Sequence, residues 1–281
     1  MEVGTSTLTG AVAVVGIALR YPDARTPSEF WENILARRAA FRRMRDERLP
    51  LVDYYDANRY VPDKTYGSNA AYMDGYRFDY KGHKINKQCY ESTDTVQWLS
   101  LDVSGAAIAD AGGINTDAER DRTSVIVGNT LTGEESRVAS MRLRWPYVRK
   151  ALIASGRARG LSETKLAELA ATMEETYKSA FLPVNEDTLA GALSNTIAGR
   201  ICNYFDFHGG GFTVDGACSS SLIAVATACT QLLTKQVRQK LAPPPLPVPL
   251  SSSAWSYGAS CGNVHPQKRQ IVPSFLTPSS D

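Results

Sequence analysis

Chemistry in this chain points first to its five cysteines, one of which stands in a context suited to presenting a thiol. Phe212-Thr213-Val214 reads as a β-type run, and the residues from Asp215 to Ser221 form a turn of small side chains. Leu222, Val225, Cys229 and Leu232 then recur at helical spacing. A strand that enters a helix through such a turn projects its central residue outward, on the geometric logic of a nucleophile elbow. Cys218 is predicted at the first position of that helix. The free N–H groups and partial positive charge there favour the thiolate and hold the oxyanion formed when a thioester carbonyl is attacked. The chemistry that follows is that of an acyl-carrying thiolate, with Cys218 as the single predicted catalytic residue.

The other cysteines read differently. Cys229, on the apolar face of the same helix, and Cys202, beside Ile201, are expected as packed core residues. Cys89 and Cys261 lie in polar stretches with nothing to activate them. The number is odd and no C-x-x-C pair occurs, so neither a disulfide framework nor a metal site is expected.

An elbow needs a sheet to hold it. Residues 11–18 form a β-branched apolar run, read as a strand buried on both faces, and Thr123 to Gly128 reads as a second. Thr26-Pro27 opens a helix with Phe30, Ile34 and Leu35 on its inner face. A further helix runs from Trp98 to a stop at Gly112-Gly113. Behind Ser162, the spacing of Leu166, Leu169, Met173 and Tyr177 predicts an amphipathic surface helix. Residues 41–90, rich in Arg, Asp and Tyr, show no sustained period and read as an irregular excursion.

Composition bounds the rest. With 281 residues, 43% hydrophobic and 21% charged, the chain has the makings of a sizeable α/β core. A net charge of +2 gives no general pull toward nucleic acid or acidic membranes. No apolar run is long enough to span a bilayer and no basic n-region precedes residues 11–19, so a soluble, cytoplasmic protein is expected. Composition then breaks near Gln236. Eight of the fourteen prolines fall after Leu241, interleaved with serines, and residues 237–281 read as a disordered Pro/Ser-rich tail. The expected domains are an extension at 1–10, a catalytic domain at 11–236, and that tail.

The stretch from Thr213 to Leu222, T-V-D-G-A-C-S-S-S-L, resembles the active-site signature of β-ketoacyl synthases of the polyketide and fatty-acid synthase type. Residues 12–22 with Phe30-Trp31 are similar to that family's first strand and loop, and residues 189–201 precede the elbow as they do there. Residues 128–134 and 142–148 look most like the iterative synthases of enediyne-type pathways. The resemblance covers roughly residues 11 to 236 and implies the N-terminal half of a thiolase-like αβαβα fold, homodimeric when intact. It implies that Cys218 takes an acyl chain from phosphopantetheine on an acyl carrier protein. A malonyl thioester, also carrier-bound, is then decarboxylated and its carbanion attacks the acyl-cysteine. No other cofactor, nucleic acid or membrane is implied as a partner.

The family also uses two histidines from H-G-T-G-T and N-x-G-H motifs, and neither motif occurs here. Only His83, His208 and His265 are present. His83 is read as a solvated loop residue, and His208, which leads three glycines, as part of a bend; His265 falls in the tail. Resemblance and composition fail together near residue 236, so the chain is expected to be a truncated synthase with a frameshifted or mis-spliced end and weak or no condensing activity. The alternative is a catalytically dead remnant acting as a dimerisation or regulatory partner. A hydrolase built around His208 is a third reading, for which no acid partner is apparent.

Overall fold

The structure, a computed structural model, describes residues 10–130, 133–234, 259–262 and 269–272. Its elements, in order, begin with β1 (Ala13–Ile17), α1 (Pro27–Leu35), β2 (Arg42–Arg43), α2 (Leu51–Tyr54), β3 (Asn69–Ala70) and α3 (Lys87–Glu91). There follow α4 (Thr95–Asp110), α5 (Asp117–Arg120), β4 (Val125–Gly128), α6 (Glu134–Leu143), α7 (Trp145–Ala158) and α8 (Glu163–Ser179). Next come α9 (Glu186–Ala192), α10 (Thr196–Phe205), β5 (Gly211–Val214), α11 (Ser220–Leu233), β6 (Ala259–Gly262) and β7 (Arg269–Val272). None of the described helices is long and apolar enough to cross a membrane.

Five strands form one sheet in the order β1-β6-β7-β4-β5. β4 and β5 run parallel, pairing Val125 with Gly211 through to Gly128 with Val214, so that both strands end at the same edge. β6 and β7 are antiparallel to each other, β6 is antiparallel to β1, and β7 meets β4 in parallel at Ile271 opposite Val125. These two short strands are the described part of the Pro/Ser-rich segment; the rest of it, where the expected disorder falls, lies outside the described residues, as do residues 1–9.

β4 separates two apolar clusters because its side chains alternate. Val125 and Val127 point into the larger one, with Trp98, Leu101 and Ala107 of α4 and Ile197, Ala198 and Ile201 of α10. Ile126 points the other way, into a smaller one with Ala224 and Ala228 of α11. All four residues of β4 are buried, as its apolar run predicts. α4 starts on Asp94, whose carboxylate accepts from Val96 N at 3.0 Å, and stops at Gly112 and Gly113 in the left-handed region.

Several expectations fail for a common reason. β1 exposes Val14, Val15 and Ile17 and buries only Gly16, against which α4 lies so close that a Cβ would meet the Ala107 carbonyl at 2.5 Å. The strand is therefore covered on one face rather than two. α1 is capped as predicted, Glu29 N donating to Thr26 Oγ1 at 3.2 Å, yet Ile34 and Leu35 are exposed and Phe30 instead stacks on Tyr21. In α8, Leu166 is buried as expected, but Leu169 is exposed. Periodicity marks which residues share a face; it does not say whether anything covers that face.

Candidate active site

The parallel pair β4 and β5 delivers two loops to one edge of the sheet, residues 129–130 from β4 and 215–219 from β5. Cys218 sits in the second loop, in a single 3-10 turn of Ala217–Ser219, and α11 begins only at Ser220. Its predicted place at the first helical position is thus corrected by two residues. The strained residue of the elbow is Ala217, with φ +52°, a left-handed conformation costly for a side chain with a Cβ. Holding Ala217 there exposes both it and Cys218.

Hydrogen bonds from both loops and from the start of α11 hold that conformation. The hydroxyls of Thr130 and Ser220, 2.9 Å apart, converge on the Ala217 carbonyl at 2.9 and 2.7 Å. Ala217 N donates to Asp215 Oδ1 at 2.9 Å, Gly216 N donates to Ser220 Oγ at 2.9 Å, and Ser219 Oγ donates to the Gly216 carbonyl at 2.6 Å. The small residues that the sequence offered as permissive are therefore also the clamp. Thr130 went unnoticed as a site residue, because nothing in a single sequence says that a threonine 87 residues away closes the turn.

Gly128 fixes the approach of α11. A Cβ there would fall 2.7 Å from the Ser220 carbonyl carbon and oxygen and 2.8 Å from Ser221 N, all backbone atoms that cannot swing aside. The end of β4 and the start of α11 touch only because residue 128 lacks a side chain.

The segment 189–201 packs beneath the elbow. Thr213 Oγ1 donates to the Ser194 carbonyl at 2.9 Å, the Asn129 amide donates to Ser194 Oγ, and Asn129 N donates to the Val214 carbonyl at 3.1 Å. Under that loop Gln97, 1% exposed, donates through Nε2 to the Ala190 and Gly191 carbonyls, each at 2.9 Å. Gln97 Oε1 accepts from Arg200 Nε at 2.7 Å, and the guanidinium lies over the Trp98 ring at 4.5 Å. A buried amide so fully engaged fixes the loop that touches both strands.

The remaining candidates lie elsewhere. His208 is at the start of β5, so a four-residue strand, about 13 Å at strand spacing, separates it from the elbow. Its ring bridges Asp121 and Asp206, each at 2.9 Å, and those carboxylates, Asp121 first, raise its pKa above the usual imidazole value. Acid partners that the sequence did not show are thus present, and they occupy both ring nitrogens, so His208 has no free nitrogen to act as a base there. His83, rather than solvated as expected, is partly buried, tilted against Phe78 at 4.4 Å and Tyr204 at 5.4 Å with a hydrogen bond to the Asp79 carbonyl, while His265 lies outside the described residues. Cys202 is partly buried, its thiol 3.5 Å from the Gly210 carbonyl, and Cys229 is partly buried on α11. Cys89 is less polar in setting than its sequence suggests: it packs against the larger apolar cluster, with Arg200 Nη1 3.6 Å from its sulfur.

The profile of the family described as "Beta-ketoacyl synthase, N-terminal domain" matches residues 9–242. A polyunsaturated fatty acid synthase component from Thraustochytrium is 30% identical over 222 residues, 79% of this chain and 8% of that protein. A highly reducing polyketide synthase of Aspergillus aculeatus is 30% identical over 234 residues, 82% of this chain and 8% of that one. Among solved structures, a keto synthase–chain length factor superposes with a TM-score of 0.61 at 24% identity, over 80% of this chain and 23% of the other. An oxazolomycin ketosynthase domain of Streptomyces albus gives 0.56 at 21%, over 81% and 32%. These likenesses show the layered α/β architecture of the thiolase-like ketosynthases, and the chain spans under a tenth of these two curated relatives.

Proposed function

The chain belongs to the β-ketoacyl synthase family, through its N-terminal domain, and from that premise we propose that Cys218 is the residue that accepts an acyl chain. The observation that carries this reading is the exposed thiol on a turn held in the left-handed region at Ala217 by Thr130 and Ser220. In the step proposed, Cys218 Sγ attacks the carbonyl of an acyl thioester borne on the phosphopantetheine of an acyl carrier protein. A new carbon–sulfur bond forms as the pantetheine sulfur leaves with the thiol proton. The partial positive charge at the start of α11 favours the developing oxyanion, while the Ser219 and Ser220 N–H groups already donate to the Gly216 and Ala217 carbonyls.

Condensation follows in the family when a malonyl thioester loses carbon dioxide and its carbanion attacks the acyl-cysteine, releasing a β-ketoacyl thioester and the free thiol. The two histidine motifs that assist this step are absent from these 281 residues, so acyl transfer is the part of the reaction that the chain's own groups support. The motifs at 128–134 and 142–148 support an iterative, enediyne-type subfamily within polyketide synthesis.

Intact-protein mass spectrometry after incubation with an acyl-pantetheine thioester tests the assignment. One acyl mass is expected on the wild type and none on Cys218→Ala; equal labelling of both would sink it. No condensation product is expected from acyl- and malonyl-carrier substrates with this chain alone. A second reading, a non-condensing partner of a complete synthase, is favoured by the exposed apolar side chains Leu222 and Ile223 on α11 and Val14, Val15 and Ile17 on β1. Co-purification with a full-length ketosynthase, unaffected by Cys218→Ala, would support that reading instead.

A further inference from the structure

Asp94 is 5% exposed, and its carboxylate is shared between two helix starts. One oxygen, Oδ1, caps α4 at Val96 N, and the other, Oδ2, accepts from Glu135 N in the first turn of α6 at 3.1 Å. α6 has no cap of its own. Its N-cap residue is Gly133, which offers no side chain, and Asp94 supplies the missing acceptor from 41 residues earlier in the chain. No larger residue fits at 133, because a Cβ there would collide with the Asp94 carboxyl group. The charge of Asp94 thus meets the positive ends of two helices at once.

This shared cap ends the loop that leaves β4. At its near end the loop is held by Asn129, whose N donates to the Val214 carbonyl and whose side chain donates to Ser194 Oγ. At its far end it is held by the bond from Glu135 N to Asp94. Between these anchors stands Thr130, whose hydroxyl donates to the carbonyl of Ala217, the left-handed residue next to Cys218. The start of α4 steadies the neighbouring segment as well. Asp94 N donates to the Gly191 carbonyl at 3.0 Å, the same oxygen that Gln97 Nε2 reaches, and Ser194 of that segment accepts from Thr213 in β5. One turn of α4 therefore braces what lies on either side of the elbow, through a carboxylate on one side and an amide on the other.

We propose that Asp94 is a positioning residue for Cys218: by capping α6 it fixes the loop of Thr130, and through Thr130 the turn that presents the thiol. Its part in acyl loading rests on the reading of Cys218 as the acyl acceptor, whereas its hold on the turn does not. The test therefore reads two quantities on the full chain, the rate of acyl loading from an acyl-pantetheine thioester and amide hydrogen exchange across residues 215–220. Asp94→Asn keeps the shape and one acceptor oxygen, so α4 stays capped while the bond to Glu135 N is lost. Loading is expected to fall about tenfold, as a small misplacement of a reacting group does, with exchange at 215–220 faster by a similar factor. Thr130→Val should do the same, and the double variant should go no further than either single one, since both act along one route. Ser162→Ala, which removes a cap bond from α8, should leave both readings unchanged. Melting curves check folding, and Asp94→Ser, whose single hydroxyl can serve only one helix start, takes the place of the Asn variant if that does not fold. Unchanged exchange at 215–220 in a folded Asp94 variant would overturn the proposal, as would losses from Asp94→Asn and Thr130→Val that multiply in the double variant. A wild type that takes no acyl group would sink the acyl-acceptor reading instead, and the exchange comparison would still decide the role of Asp94.

Discussion

The two faces of the sheet are built from helices of similar apolar composition and end with very different cover. On one face α4, backed by α10, buries nine of its sixteen residues and joins a cluster of fourteen buried side chains. On the other, α11 is the more apolar helix by sequence, yet among the described residues its cluster holds three buried ones, and Leu222 and Ile223 are exposed. Each helix touches the sheet at a glycine, α4 at Gly16 and α11 at Gly128. The contact with the sheet is alike; what differs, among the described residues, is whether a second helix packs beside it on the same face. The thiol-bearing elbow belongs to the thinly covered face. Its local order therefore rests on hydrogen bonds within the turn and on Thr130 rather than on packing.

That contrast predicts a graded series. Trp98→Ala, on the well-covered face, removes a side chain that is 2% exposed together with the Arg200 stacking contact and the bond from its Nε1 to the Tyr90 carbonyl. A loss of about 3–5 kcal/mol in urea unfolding is expected. Gly128→Ala forces a methyl into the backbone of Ser220 and Ser221 and is expected to cost about 1–3 kcal/mol. It also displaces the elbow, so acyl loading at residue 218 should fall by more than global stability does; unchanged loading would show that α11 need not approach so closely. Leu222→Ser, on the uncovered side of α11, should change stability by no more than about 0.5 kcal/mol. A larger loss would mean that this face is covered in solution.

The smallest effect concerns neither face but the far end of β5. His208 has a raised pKa in the fold, so its pairs with Asp121 and Asp206 stabilise the folded chain below the unfolded imidazole value of about 6.5. That contribution is lost as pH rises through the folded value. The ring is more than half exposed, so solvent screens the pairs. His208→Gln should flatten the dependence of melting temperature on pH in that window and leave acyl loading unchanged.

Local signals carried much of the molecule. Thr26 and Ser162 accept the cap bonds their positions suggest, Gly112-Gly113 ends α4, and residues 125–128 form a strand buried throughout. The strand, turn and helix around Cys218 were readable because all three lie within about twenty consecutive residues. The same reasoning misjudged β1 and α1, whose apolar faces are real but largely uncovered, and it missed Thr130 and Gln97 altogether. Those two act across 87 and 93 residues of chain, a separation that no spacing rule spans.

From its order of residues alone, then, the chain settles where the turn of small residues falls, which residue in it is the thiol, and which stretches become helix or strand, since steric and capping preferences act over a few neighbours. Folding in three dimensions decides that Ala217 rather than Cys218 bears the strain, that a threonine and a buried glutamine brace the loop, and that one side of the sheet is thickly covered and the other is not. Those outcomes depend on which distant segments meet, and contact energies between such segments leave no periodic mark in the sequence.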